Sequence, residues 1–304
     1  EPGDGSLIWH TATDSSVCFA PAAADGVIYV VSSLGTCYAL DAETGTELWH
    51  TQAFGPPSSH RLVQCCPVVD SDELILVGDS GVCVVLDRAD GQIRREMRFG
   101  GSLIHFSFPS IQEGRIYAGI RKLAVAHDLA TGEQLWQTAI STGKIASTPV
   151  PHQGRLYVNA ARLSCLDQIS GELLWEQAVS TSGNGISVAA PAGDVVLANG
   201  TALHAFDAKT GEPRWVHEFP YDAETAERDQ RQTWAGQSSP AIAGDVAFVG
   251  HDDGWLYAFA LRDGEVLWRY NLGVPIKGSP VISGNAMFVC DWDGNLYAFA
   301  GPGE

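Results

Sequence analysis

The stretch SSPAIAGDVAFVGHDDGWLYAFALRDGEVLW, which runs from Ser238 to Trp268, decides the fold. It contains three short strand-like phrases, then a turn, and then a fourth phrase that ends on tryptophan. Apolar residues alternate along these phrases, which is typical of strands that place their two faces against different neighbours. The same order recurs through the chain, and the last copy, Gly278–Ala300, stops before its fourth phrase. The repeating unit is therefore one small sheet.

The phrase before the turn gives the number of repeats. Seven copies are visible: Cys37–Asp41, Cys83–Asp87, Ala124–Asp128, Leu163–Asp167, Leu203–Asp207, and the two LYAFA phrases that end at Ala260 and Ala300. The tryptophans that follow the turn, with Arg95 in the second copy, lie 39 to 53 residues apart. A period of about 40 residues with four short strands is that of a propeller rather than a solenoid. We predict an all-β, seven-bladed β-propeller of four-stranded antiparallel blades.

The turn itself has a physical explanation. In the first five copies an aspartate is followed by a polar residue and a glycine, and a tryptophan or its replacement comes four residues after the glycine. The aspartate can accept hydrogen bonds from the backbone of the turn, and glycine tolerates the left-handed conformation of a bulged hairpin. We expect the tryptophan ring to cover the seam between neighbouring blades.

The two ends of the chain predict how the ring closes. Ser6–His10 resembles an outer strand, with Trp9 four residues after Gly5, but no inner strands precede it. The last copy lacks its outer strand, so we expect Ser6–His10 to complete blade 7, residues 277–299. Closure removes the free sheet edges that invite aggregation. Residues 1–304 are then a single propeller domain.

Charge and composition exclude several classes of partner. The formal charge is −18, with 36 acidic against 18 basic residues. Such a chain is unsuited to a nucleic acid or an anionic membrane surface, and no apolar run approaches the ~18 residues that span a bilayer. The N-terminus shows no hydrophobic signal core, so we expect either a removed leader or a piece of a longer protein. Seven cysteines cannot all pair within one chain, and we expect Cys37, Cys83 and Cys165 to be buried thiols.

The turn phrases DAETGTELW, ATGEQLW, SGELLW and DAKTGEPRW resemble the tryptophan-docking repeat of the pyrroloquinoline-quinone (PQQ)-like propellers. The resemblance covers the chain from Trp9 to Ala300. It implies the propeller fold, whereas function varies among quinoprotein alcohol dehydrogenases, outer-membrane assembly factors, kinase sensor domains and propellers attached to phosphoesterases or ligases. It also favours a secreted, periplasmic or extracellular location.

Long connections predict a binding site on one face. In a propeller, the connections between blades and those between second and third strands open on the same side of the central channel, here called the rim face. Two inter-blade connections, Thr51–Leu62 and Glu218–Trp234, are long, and such loops are often functional. We expect this face to bind a small molecule, glycan or protein. The candidate ligand-binding residues are His60, Arg61, Cys65, Cys66, His105, Lys144, Asn184, Arg231, Trp234, Gln237 and Lys277, and the catalytic candidates are His60, His105 and Tyr221. The alternative for the 218–234 loop is that Arg228 and Arg231 pair with its own acidic residues.

Cys65 and Cys66 suggest a cofactor. The resemblance implies that such a pair would cover PQQ as a vicinal disulfide, with Ca²⁺ beside the cofactor. However, the dehydrogenases have eight blades, and their Glu–Asn–Asp calcium set has no match here. The alternative is that Cys65 and Cys66 are small residues at the place of Ser238 and Ser239. Asp252-Asp253-Gly254 and Asp291–Gly294 lack calcium-loop spacing and are predicted to be tight turns.

Three functions follow from these observations. We favour a non-catalytic binding or scaffold module, part of a larger or secreted protein. A PQQ-dependent dehydrogenase is the first alternative and a polysaccharide lyase is the second, in which an arginine would neutralise a uronate. Blade 2, with Arg95, the cysteine pair and a long entry loop, is expected to border any site.

Overall fold

Short β-strands account for all of the regular structure that is described. The computed structural model describes residues 7–55, 63, 65–78, 81–99, 108–120, 122–140, 147–160, 162–179, 187–220 and 238–301, and these contain 27 strands. No helix long and apolar enough to cross a membrane occurs within these ranges.

The strands fall into seven antiparallel sheets in chain order. The first four sheets contain β1 (Ala22–Ala24), β2 (Val27–Val31), β3 (Thr36–Asp41) and β4 (Glu47–Gln52); β5 (Val68–Asp70), β6 (Glu73–Val77), β7 (Val82–Asp87) and β8 (Ile93–Arg98); β9 (Ser110–Gln112), β10 (Arg115–Ile120), β11 (Leu123–Asp128) and β12 (Gln134–Ala139); β13 (Val150–His152), β14 (Arg155–Asn159), β15 (Arg162–Asp167) and β16 (Leu173–Ala178). The last three contain β17 (Ala190–Ala192), β18 (Val195–Asn199), β19 (Ala202–Asp207) and β20 (Pro213–Glu218); β21 (Ala241–Ala243), β22 (Val246–Gly250), β23 (Trp255–Ala260) and β24 (Val266–Asn271); β25 (Val281–Ser283), β26 (Ala286–Cys290) and β27 (Leu296–Ala300).

Each sheet is one blade of the propeller. Its strands lie side by side in chain order, and the short first strands of neighbouring sheets approach one another, for example β13 and β17 or β21 and β25. The first strands are therefore the inner ones, as a propeller requires. The prediction of an all-β, seven-bladed propeller is confirmed.

The predicted turn chemistry is present between the third and fourth strands. In blade 1, Asp41 Oδ1 accepts hydrogen bonds from the backbone N–H groups of Glu43 and Thr44, at 3.1 and 2.8 Å. Gly45 adopts a φ of +70°, which an L-residue with a side chain rarely adopts. A register shift marks a bulge beside this turn in each of the six four-stranded blades of the described chain.

In blades 1, 3, 4 and 5, the tryptophan after the turn lies over the turn glycine of the following blade. The ring of Trp136 covers Gly171, and its Nε1 donates to the carbonyl oxygen of Gln168 at 3.3 Å. Trp49, Trp175 and Trp215 lie in the same way on Gly91, Gly211 and Gly264. In blade 2, Arg95 takes this place and donates from Nε to Leu129 O at 3.0 Å.

Clusters of buried side chains fill six seams between blades. They join blades 1 and 2, 2 and 3, 3 and 4, 4 and 5, 5 and 6, and 6 and 7. Within the described ranges, no such cluster joins blade 7 to blade 1. Leu296 of β27 is accordingly 67% exposed, whereas Leu256, its equivalent in blade 6, is fully buried.

The N-terminal segment differs in part from the expected closing strand. Ser6 lies outside the described residues, and Leu7–His10 forms no strand, so blade 7 has three strands in the described chain. Trp9 nevertheless lies over Gly45 of blade 1, as the other tryptophans do on their blades. Pairing of Ser6–His10 with β27 stays a prediction.

Candidate functional site

The rim face is the side of the ring where most of the sequence-derived candidates were placed. Nine of them lie outside the described residues: His60, Arg61, His105, Lys144, Asn184, Tyr221, Arg231, Trp234 and Gln237. The larger part of each long connection, residues 56–62 and 221–237, also lies outside the described residues. The structure therefore places three candidates, namely Cys65, Cys66 and Lys277, and it does not bring the cysteines together with the lysine, because they belong to blades 2 and 7.

Cys65 is a core residue of the seam between blades 1 and 2. It is 1% exposed, packs in the same cluster as Cys37 and Phe54, and has a free thiol. Burial raises the pKa of this thiol well above its ordinary value. Cys66 is half-buried and also free, and its pKa is raised by burial, against the effect of a hydrogen bond from the backbone of Ala20. The pair therefore occupies the place of Ser238–Ser239 as small side chains.

This geometry does not fit the cofactor that the resemblance implies. A vicinal disulfide over PQQ would need both sulfur atoms at the channel, but the Cys65 thiol is enclosed in the seam. The described residues also contain no group of three histidine, cysteine or carboxylate side chains placed to hold a metal ion. No residue of the described chain is therefore assigned to PQQ or to Ca²⁺.

Lys277 lies at the centre of a polar cluster where blades 6 and 7 meet the rim face. Its ammonium group is 3.0 Å from Asp252 Oδ1 and 3.1 Å from Oδ2, and both side chains are nearly enclosed. Lys277 Nζ also lies 5.6 Å from the ring centroid of Trp292, within the range of a cation–π contact. Trp292 remains 55% exposed. The result is an exposed aromatic ring held on a buried, charge-neutral support.

The same turn of blade 6 carries a second set of polar contacts. Asp253 Oδ2 accepts a hydrogen bond from the hydroxyl of Tyr257 at 2.5 Å, and the backbone N–H of Asp253 donates to His251 Nδ1 at 3.2 Å. His251 stacks on Phe219, with 3.9 Å between ring centroids. Burial, together with the bond to Asp253, raises the pKa of Tyr257. These contacts fix the turn that supports Lys277.

Hydrogen bonds from the end of a second strand to the segment before the next blade's first strand join neighbouring blades. Asn159 Nδ2 donates to Ser187 O at 2.9 Å, and Asn199 Nδ2 donates to Ser238 O at 2.8 Å, each across a seam. Phe19, which precedes β1, meets Phe108, which precedes β9, edge to face, with 5.5 Å between the ring centroids. Side chains from the segments that lead into blades 1 and 3 are therefore in contact.

Sequence reasoning identified Lys277 but missed its partners. Asp252 and Trp292 were assigned to tight turns, and the structure confirms turns at 251–254 and 291–294. Asp252 and Trp292 occupy the same position in successive blades, two residues after the end of the second strand. The sequence shows that an acidic residue in blade 6 and a tryptophan in blade 7 hold this equivalent position. That difference does not indicate which side chains face Lys277.

Two cavities lie away from the rim face, at the seams of blade 6. One, of about 720 Å³, lies between blades 5 and 6 beside Arg214 and Arg262. The other, of about 480 Å³, lies between blades 6 and 7 and is lined mainly by apolar side chains, including Trp268 and Phe299. Arg214 is paired with Asp194 and Asp207, so its charge is compensated within the protein.

Comparison with known proteins gives one family. The family model described as outer membrane protein assembly factor BamB matches residues 1–119 and 220–302, about two thirds of the chain. The outer membrane protein assembly factor BamB of Moranella endobia (strain PCIT) is 27% identical over 262 residues, which is 79% of this chain and 61% of that protein. The quinohemoprotein alcohol dehydrogenase of Comamonas testosteroni is 27% identical over 155 residues, which is 44% of this chain and 22% of that enzyme.

A solved structure supports the same fold. The crystal structure of BamB from Moraxella catarrhalis superimposes with a TM-score of 0.73 at 20% identity, over 97% of this chain and 88% of that one. At this identity the likeness concerns the fold. The chain spans less than two thirds of either curated relative.

Proposed function

Because the chain belongs to the family of the outer membrane protein assembly factor BamB, we propose that it is a protein-binding scaffold whose rim face docks a component of an outer membrane protein assembly machinery. The proposal adopts the activity that the relatives' name states. It agrees with the sequence-based prediction of a scaffold module. Of the three ligand classes that the sequence left open, it selects a protein. The proposed place of action is the outer membrane.

The observation that carries the proposal is Trp292. Binding energy in protein interfaces concentrates in a few aromatic and arginine side chains that are held rigidly. Trp292 is 55% exposed, stands on a tight turn of blade 7, and has the buried Lys277–Asp252 pair beneath it. Since the charge of Lys277 is already balanced, the surface that a partner meets here is an apolar ring with a polar surround.

The two enzymatic alternatives have less support. The dehydrogenase alternative depends on Cys65 and Cys66, and the thiol of Cys65 is enclosed in a seam. The lyase alternative depends on His60, His105 and Tyr221, which lie outside the described residues, so it stays a prediction. Addition of PQQ and Ca²⁺ with an alcohol and a redox dye tests the first, and an acidic polysaccharide panel tests the second.

Site-specific photo-cross-linking tests the scaffold proposal. A photoreactive phenylalanine analogue is placed at position 292 of the full chain, which is incubated with solubilised bacterial outer membranes and irradiated. We expect one dominant adduct with an outer membrane protein assembly component, identified by mass spectrometry. Trp292→Ala should reduce the affinity of the purified pair at least tenfold, which corresponds to about 1.4 kcal/mol.

Position 169 supplies a matched control. Ile169 is 57% exposed, close to the value for Trp292, but it lies in the turn between β15 and β16 on the opposite face. The analogue at position 169 should give no such adduct, and Ile169→Ala should bind normally. Equal labelling from both positions, or an adduct from 169 alone, would contradict docking on the rim face.

A further inference from the structure

The turn between β26 and β27 differs from its equivalent in blade 6 in the carboxylate that it uses. In blade 6, Asp253 Oδ2 accepts a hydrogen bond from the Tyr257 hydroxyl at 2.5 Å, and its Oδ1 accepts one from the backbone N–H of Trp255 at 2.9 Å. The Asp253 side chain is 6% exposed. This carboxylate is therefore part of the structure of its turn.

In blade 7 the same role belongs to Asp291. Its Oδ2 accepts a hydrogen bond from the Tyr297 hydroxyl at 2.9 Å, and its Oδ1 accepts the backbone N–H groups of Asp293 and Asn295 at 3.0 and 2.9 Å. Asp293, which like Asp253 lies four residues before the tyrosine, is exposed. Within the described part of the chain its carboxylate makes no hydrogen bond or ion pair. The fold therefore leaves this carboxylate available to a ligand.

Trp292, the neighbour of Asp293, is an exposed aromatic ring in a fixed position. Its backbone N–H donates to Pro275 O at 2.9 Å, and Lys277 Nζ lies 5.6 Å from the centroid of its ring. The residue is nevertheless 55% exposed. Because the backbone is bound and Lys277 lies against one side of the ring, a partner that contacts the exposed part restricts little further motion, which keeps the entropy cost of binding low.

The charge around this ring is negative. The charge of Lys277 is balanced by Asp252, whose Oδ1 is 3.0 Å from the ammonium group. In contrast, no cation of the described residues forms an ion pair with Asp291 or Asp293. An aromatic face attracts cations through its ring quadrupole, and a neighbouring carboxylate adds to this attraction. The complementary group on a partner is therefore a cation.

Arginine fits this pair of groups better than lysine does. Its guanidinium group is planar, stacks on aromatic rings and donates two parallel hydrogen bonds to a carboxylate, whereas the ammonium group of lysine is a strongly hydrated point charge. Consecutive Cα atoms lie about 3.8 Å apart, so one guanidinium group can reach both side chains. We propose that Trp292 and Asp293 bind an arginine side chain of the partner protein, which stacks on the indole and donates to the carboxylate. This inference rests on the proposed docking function of the rim face.

Fluorine NMR with a short peptide tests the site without the partner protein. 5-Fluorotryptophan is incorporated into the full chain, and the resonance of residue 292 is the one that Trp292→Phe removes. The peptide acetyl-Gly-Arg-Gly-amide, at millimolar concentration, should shift this resonance, and its lysine counterpart should shift it less. The citrulline counterpart, which has nearly the same shape without the charge, should leave it in place. An equal response to citrulline, or no response to arginine, would overturn the proposal.

A pair of aspartate substitutions separates the site from the net charge of the protein. Asp293→Asn should weaken the apparent affinity for the arginine peptide by about fivefold or more, since a hydrogen-bonded charge is lost. Asp245 supplies the matched control, because it is also exposed but lies in the turn between β21 and β22, on the opposite face. Asp245→Asn should leave the response unchanged, and equal effects of the two substitutions would contradict the proposal.

The photo-cross-linked partner tests the same contact in the docked complex. The partner residue labelled from position 292 should lie at or next to an arginine. Asp293→Arg should lower the affinity of the purified pair by about tenfold or more, and replacing that partner arginine with glutamate should restore much of the loss. An adduct whose affinity does not respond to Asp293→Arg would overturn this inference and leave the docking proposal standing. A response to the peptide without an outer membrane adduct would remove the docking proposal and retain the arginine site.

Discussion

Trp9 donates its indole N–H to the carbonyl oxygen of Ala42 at 2.9 Å, across 33 residues of chain. Thr11 makes the next contact, from its hydroxyl to Gly45 O at 2.6 Å. Blade 1 makes the same two contacts with blade 2, through Trp49 and Thr51. The N-terminal segment therefore binds blade 1 as the outer strand of a preceding blade would, although Leu7–His10 forms no strand.

Replacing Trp9 with alanine should destabilise the propeller. The Trp9 ring covers Gly45, so its loss uncovers apolar surface there. We expect a decrease of roughly 2–4 kcal/mol in the free energy of unfolding, because a partly buried tryptophan contributes less than an enclosed one. Chemical denaturation measures it. Leu7→Ala is the control, since Leu7 is 82% exposed, and an equal effect of the two changes would refute the docking role of Trp9.

A pair of glycine substitutions separates backbone strain from tryptophan docking. Gly171 and Gly154 adopt nearly the same φ, +73° and +74°, but a Cβ at 171 would overlap the Trp136 ring, whereas a Cβ at 154 meets no atom within 4 Å. Both alanine variants pay the left-handed strain of about 1–2 kcal/mol. We expect Gly171→Ala to lose at least about 1 kcal/mol more, from displacement of the ring. Thermal and denaturant unfolding measure the difference, and equal losses would contradict it.

Much of this fold could be predicted from the sequence because its decisive contacts are local. Asp41 and the turn of Gly45 lie four residues apart, and the recurrence of this turn gives the number of blades. The Lys277–Asp252 pair could not be predicted, because the partners lie 25 residues apart on different blades. Their contact depends on how two sheets are rotated against each other, which no local pattern encodes. The burial of Cys65 also depends on how two sheets pack against each other. The sequence alone therefore left a cofactor role for this residue open.

The Lys277–Asp252 pair gives a third prediction. Lys277→Met leaves Asp252 nearly enclosed without its counter-charge, and removal of one partner of a buried ion pair typically costs about 3–5 kcal/mol. The double variant Lys277→Met with Asp252→Leu removes both charges and should recover a large part of that loss. A double-mutant cycle from urea unfolding measures the recovery. Additive losses would contradict a direct coupling between the two side chains.

The pair that replaces a docking tryptophan in blade 2 should make stability depend on pH. Arg95 holds Glu73 in two hydrogen bonds of 2.6 Å each, and Arg94 approaches the same carboxylate at 3.4 Å. The bonds to Arg95, against partial burial, hold the pKa of Glu73 below its ordinary value of 4.5. A carboxyl group with a lowered folded-state pKa stabilises the protein above its unfolded pKa, and this stabilisation is lost as the pH falls through the folded-state pKa.

Glu73→Gln removes that titration and leaves the other carboxyl groups in place. Between about pH 6 and pH 3 the original protein should lose roughly 1 kcal/mol more than the variant, the upper range for a partly exposed pair. Urea unfolding at a series of pH values measures both curves, and the difference between them cancels the other titrating groups. Parallel curves would mean that Arg95 holds its place through the bond to Leu129 O alone, and that Glu73 adds no charge-dependent stability to the seam between blades 2 and 3.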